Sequence, residues 1–141
     1  MGRIMGIDYG DARIGLAFSD VTGFLAGEAF TLHERDMERA VEAIAAAAEE
    51  RQVCEIVLGY PKNMNASIGP RAEKSAALAE RLRARTGLPV TLWDERQTTV
   101  AAHQILSQTG TRGKKRKNTV DAVAATLILQ GYLDFKQTQG K

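Results

Sequence analysis

The chain has one cysteine, two histidines, three prolines and few aromatic residues, and it has no long apolar run. The single cysteine, Cys54, excludes an intrachain disulfide. It sits in the apolar stretch CEIVLGY and is expected to be a small buried hydrophobe. With only His33 and His103 beside it, the sequence is too poor in Cys and His for a zinc site built on those ligands. A metal in this protein must therefore be held mainly by oxygen, which points to magnesium or manganese (Mg2+ or Mn2+). No segment approaches the roughly 20 apolar residues that a membrane helix needs. The opening MGRIMGIDYG runs straight into a strand pattern and carries an Asp in its short apolar stretch, so no secretory signal is expected and the cytoplasm is the expected compartment. Tyr9, Tyr60 and Trp93 form no evident stacking platform, and Trp93 is expected in the core.

What is present suits one ordinary globular domain spanning 1–141, with 44% hydrophobic and 26% charged residues. The net charge of +2 is less informative than its distribution. Residues 107–118, SQTGTRGKKRKN, hold Arg112, Lys114, Lys115, Arg116 and Lys117 and no acid. They are expected to form a flexible cationic loop that meets a polyanion, the alternative being a merely solvated loop.

Residues 3–9 and 13–19 read as two strands joined by a tight turn at Gly10-Asp11-Ala12. A third strand covers about 25–33. Met37, Val41, Ile44 and Ala48 share one face of a helix over about 36–51, with Asp36 as its N-cap. The run 54–60 has the length and continuous apolarity of a central strand buried on both faces. A polar loop, 61–69, leads to a helix that starts at Pro70 and is capped by Gly87, with Ala72, Ala76, Ala79 and Leu82 inward. Residues 89–95 form another strand, and helices follow at about 99–108 and 119–133. In the last, Val120, Val123, Ala124, Leu127, Ile128 and Gly131 make the apolar face. A meander followed by alternating strand and helix implies an α/β protein with a mixed sheet and helices on both faces.

Three acids stand out. Asp8 lies in a strand among Ile4, Met5 and Ile7, where an unpaired carboxylate is costly. Gly6, Gly10 and Gly15 flank it and are expected to leave room for close approach of a metal-bound phosphate. Glu95 follows the strand VTLW, where ligands gather in open α/β sheets. Asp94 competes with it, although neighbours on an extended chain point to opposite faces. Asp121 stands near the start of the last helix, with Ala124, Ala125 and Ile128 at i+3, i+4 and i+7. Each acid also has a plain reading: a strand-end turn, a surface pair with Arg96, and a residue complementing the helix dipole. Together they are the kind of acid group that divalent metal sites for phosphodiester cleavage require. Arg13, Lys62, Asn63, Asn65 and Arg96 are candidate substrate contacts, alongside the five basic residues of 112–117.

The motifs GIDYGDARIGLA (6–17), LGYPKNMNASIGPRA (58–72), DERQTT (94–99) and KNTVDAVAATLIL (117–129) resemble the YqgF (RuvX) family of pre-16S rRNA nucleases, related to Holliday junction resolvases. The resemblance implies a ribonuclease H-like fold with a five-stranded mixed sheet in order 3-2-1-4-5. It implies a carboxylate site at Asp8, Glu95 and Asp121 and a role in maturing the 5′ end of 16S rRNA. The implied partners are precursor rRNA, with structured DNA and a pre-ribosomal particle as further candidates. Junction resolvases carry a further acid in the last helix, where this chain has Ala124. A DNA enzyme acting on branched junctions and a non-catalytic RNA-binding assembly protein remain as rivals.

Overall fold

The computed structural model describes residues 2–10, 12–60, 70–94 and 113–139, and for 60, 70–72, 94, 113–121 and 137–139 it describes the backbone alone. Five strands, β1 (Arg3–Tyr9), β2 (Arg13–Ser19), β3 (Ala26–His33), β4 (Val53–Tyr60) and β5 (Val90–Asp94), form one sheet in order β3-β2-β1-β4-β5. The hairpins β1–β2 and β2–β3 are antiparallel; β4 is parallel to both β1 and β5. Among the described residues three helices cover the sheet: α1 (Met37–Glu50) and α2 (Pro70–Thr86) in the expected places, and α3 (Gly113–Gln139), which extends the expected 119–133 at both ends and so has Asp121 within it and not at its start. The helix expected at 99–108 lies outside the described residues.

The sheet has two unlike faces. Met5, Ile7 and Tyr9 of β1 lie with Ile14, Leu16 and Phe18 of β2 and with Ile56 and Leu58 of β4. This face carries large side chains, and α1 and α2 cover it with Val41, Ile44, Leu78 and Leu82. The opposite face pairs Gly6 with Ala17 and with Val57, and Asp8 with Gly15. Around Gly6 its residues are small, with Ile4 and Trp93 as the large ones farther out, and α3 covers it through Ala125, Ile128, Leu129, Tyr132 and Leu133. Period-two alternation thus separates a thick apolar layer from a thin one.

Local signals placed most helix ends. Asp36 caps α1, its carboxylate accepting from the Arg39 N–H at 2.9 Å. Gly87, at φ +73°, ends α2, and its N–H donates to the Arg83 carbonyl. Gly10 closes the first hairpin: its N–H donates to the Arg13 carbonyl, and a Cβ there would stand 2.7 Å from that same oxygen.

Three expectations are corrected. Cys54 is exposed, not buried. β1 pairs Arg3 with Val53 but Ile4 with Glu55, so Cys54 is the extra residue of a bulge and is skipped by the ladder. The basic segment is not a loop throughout, because α3 begins at Gly113 and Lys114, Lys115, Arg116 and Lys117 form its first turns. Lys and Arg are good helix formers, and no Gly or Pro interrupts 114–130. The apolar stripe of α3 is also displaced from the expected one: Ala125, Leu129, Tyr132 and Leu133 are buried, whereas Val123, Leu127 and Gly131 are half-buried.

Asp36→Ala removes the acceptor for the first turn of α1 and is expected to cost about 1 kcal/mol. Urea denaturation should show this as a lower midpoint at an unchanged slope.

Candidate active site

Asp8 is half-buried near the carboxyl end of β1, on the face covered by α3. The register between this strand and α3 can be read from contacts on both sides of Gly6. A Cβ at Gly6 would meet Leu129 and the Ala125 carbonyl, while Tyr132 bonds to Glu55, the ladder partner of Ile4. The helix therefore runs opposite to β1. Moving from Gly6 to Asp8 covers about 6.6 Å along the strand. Moving from Ala125 back to Asp121 covers about 6 Å along the helix axis. The same step from Leu129, the other contact of Gly6, reaches Ala125, so Asp8 comes level with the stretch 121–125 of α3, which opens with residue 121. That residue lies at i, i+4, i+7 and i+11 with the buried Ala125, Ile128 and Tyr132.

The strand that precedes the third candidate acid, Glu95, is set by the parallel pairs. β1, β4 and β5 end side by side, with Tyr60 paired to Asp94. Trp93 packs on the α3 face against Tyr132 and is half-buried there. Glu95, two residues later, lies outside the described residues, as do Arg96, Lys62, Asn63, Asn65 and Arg112. Arg13 is half-buried at the start of β2, one residue from Ile14, which pairs with Tyr9 at the end of β1. Among the described residues no three His, Cys, Asp or Glu side chains converge. The two candidate acids on the elements described offer oxygen donors alone: Asp8 at the end of an apolar strand, and Asp121 in the sequence of the facing helix. That chemistry fits a hard divalent cation.

The glycines near Asp8 serve a different purpose from the one their spacing suggests. At Gly6 the space is filled by α3, whose Leu129 Cβ would stand 2.7 Å from an added Cβ. At Gly10 it is filled by the turn. Neither glycine opens a path for phosphate. Tyr9 lies in the core on the face opposite Trp93, so these two aromatics form no common platform.

The far end of α3 holds a polar cluster that sequence reasoning missed. Tyr132 donates to Glu55 of β4, Lys136 Nζ lies 2.7 Å from the other Glu55 oxygen, and Tyr132 stands 3.5 Å from Thr91 Oγ1. The available signals were an acid inside the apolar run CEIVLGY and a Tyr and Lys four apart on one helix. Burial, then the hydrogen bond to Glu55, raise the Tyr132 pKa. The hydrogen bond to Glu55 raises that of Lys136.

A mixed sheet in this order, with helices on both faces and an acid at the end of its first strand, defines a ribonuclease H-like protein. Thermus thermophilus RuvC in complex with a Holliday junction substrate has this fold, at TM-score 0.65 and 12% identity over 98% of this chain and 97% of that one. Family membership is more specific. The chain matches the RuvX family, described as Holliday junction resolvase, over residues 2–135. Relatives described as "Putative pre-16S rRNA nuclease" include one from Clostridioides difficile, 46% identical over 96% of both chains. Another, from Halothermothrix orenii, is 44% identical over 95% of this chain and 96% of its own. The chain belongs to the RuvX family.

The Tyr132–Glu55–Lys136 cluster predicts alkaline sensitivity. Both pKa values are raised in the folded state, from 10.0 and 10.5. Their stabilisation is therefore complete below the unfolded values and is lost as pH rises through the folded ones. Denaturant midpoints should fall above about pH 10. Tyr132→Phe should cost about 1 kcal/mol at neutral pH and make that alkaline fall shallower. An equally steep fall in the variant would exclude Tyr132 as its source.

Proposed function

We propose that this protein is a metal-dependent nuclease that hydrolyses phosphodiester bonds in precursor 16S rRNA near the mature 5′ end. The observation that supports the reading is that half-buried Asp8 faces the 121–125 stretch of α3 across the β1–α3 contact. With Glu95 they would hold Mg2+ or Mn2+. Such an ion, when bound, activates water and stabilises charge on the leaving oxygen. The chain's own contribution is to fix the acids on rigid elements. Asp8 is held by pairing with Gly15, and Asp121 is carried by a helix packed on the sheet. The reading takes 1–141 as one domain acting in the cytoplasm. Among the described residues no helix is long and apolar enough to cross a membrane.

The RNA substrate is supported by the relatives' descriptions. Branched DNA is the alternative suggested by the family's description and by RuvC. Ala124 is buried in α3, so a small apolar residue stands where junction resolvases are expected to carry a further acid. This favours RNA, presented free or in a pre-ribosomal particle. A cleavage assay should compare a precursor rRNA 5′ leader, generic single-stranded RNA and a four-way DNA junction, each with and without manganese. Preference for the junction would reverse the substrate assignment.

Arg13, Lys62, Asn63, Asn65, Arg96 and the basic residues of 112–117 would contact the nucleic-acid backbone without reading its bases. Lys114, Lys115, Arg116 and Lys117 stand in the first turns of α3, and its first turn has no acid. Cations there oppose the helix dipole, an unfavourable arrangement that a polyphosphate would relieve.

Asp8→Asn should lower turnover at least about 100-fold, since the metal's contribution is several kcal/mol, while the protein still melts cooperatively. Manganese should raise the wild-type melting temperature, and that of Asp121→Ala much less. Wild-type turnover in Asp8→Asn, or equal shifts in both proteins, would remove the respective residue from the site.

Replacing Lys114, Lys115 and Lys117 with Ala should weaken RNA binding more than it lowers saturated turnover. If each neutralises one phosphate, the log–log salt slope should drop by about 2, at about 0.7 per contact on single strands. An unchanged slope would show that these lysines do not touch the substrate.

A further inference from the structure

We infer that Gly6 is a positioning residue for the paired acids: it is the point where α3 meets the sheet backbone, and it sets how close Asp121 comes to Asp8. The inference rests on the reading of those acids as metal ligands. Gly6 does not serve a special backbone conformation, because the positive-φ glycines among the described residues are Gly23 and Gly87. Its role is clearance. A Cβ on Gly6 would lie 2.7 Å from Leu129 Cβ, 2.9 Å from the Ala125 carbonyl oxygen and 3.2 Å from Leu129 Cα. Two of these atoms are backbone and the third moves only with the backbone. No rotamer change clears them, so the helix itself must shift.

The direction of that shift follows from where α3 is tied. Past Leu129, the Gln130 side chain accepts from the Ala26 N–H at 2.9 Å and donates to the Phe24 carbonyl at 3.1 Å. Tyr132 and Lys136 bond to Glu55. The C-terminal half of the helix is therefore anchored to β3, the turn before it, and β4. Asp121 lies on the other side of the contact point, one turn before Ala125. A methyl group at position 6 acts as a wedge between the anchored end and the acid. Relief of the clash moves residue 121 away from the strand that carries Asp8.

The test is calorimetric titration of Mn2+ into the substrate-free protein, at a temperature where every variant is folded. Wild type, Asp8→Asn, Gly6→Ala and Leu129→Ala are compared, with melting temperatures alongside. Gly6→Ala is expected to weaken Mn2+ binding by about tenfold or more, the range seen when support of metal ligands is disturbed. Leu129→Ala also lowers the melting temperature, because it removes a buried side chain, but it keeps its Cβ and the helix position and should bind Mn2+ as wild type does. If Gly6→Ala does not fold, Gly6→Ala/Leu129→Gly takes its place. It removes the nearest blocking carbon but keeps the Ala125 carbonyl, and it should still bind more weakly than wild type.

Wild-type affinity in the Gly6 variants, or equal losses in Gly6→Ala and Leu129→Ala, would overturn the positioning role while leaving the acid site standing. Equal Mn2+ binding by wild type and Asp8→Asn would instead overturn the metal reading, and this inference with it.

Discussion

The close contact between α3 and the middle of β1 is the constraint on which the rest of the structure depends. It exists because the sheet face beneath the helix is built from Gly6, Gly15, Ala17, Ala29 and Val57, while the opposite face is built from large residues. One helix on a thin layer can lie near the strand backbones. Two helices on a thick layer stand off from theirs. Asp8 and the helix that carries Asp121 belong to the thin side.

The two ends of that contact are chemically different. At the end near Tyr132, a carboxylate, a phenol and an ammonium satisfy one another. Pairing of this kind stabilises a partly buried acid and uses it up structurally. At the other end the fold brings Asp8 toward a helix whose first turns carry cations and whose first turn has no acid. In the proposed function this end takes a divalent cation at the acids and a phosphodiester chain along the lysines. That polarity, more than net charge, links the fold to a nuclease of the RuvX family.

Much of this was legible in the residues. The acid in an apolar strand, the acid after VTLW, the N-cap Asp36, the helix start at Pro70 and its stop at Gly87 were all readable. Each is a local event, governed by side-chain period, φ preference or a cap within a few positions. Less legible was anything decided by a bulge or by a distant segment. Cys54 reads as a buried member of an apolar run, yet one extra residue in β4 takes it out of the ladder and exposes it. The basic segment reads as a loop by its charge, yet its propensity and continuity with α3 make 113–118 helical.

The sequence by itself determined the elements, their layered α/β arrangement and the identity of the candidate acids, because periodicity and capping are short-range properties. Only the tertiary structure decided what Gly6 is for. A glycine in a strand states that something approaches closely but not what. Here the answer is a helix more than a hundred residues later, and chain segments so far apart acquire a mutual distance only when the core between them is packed.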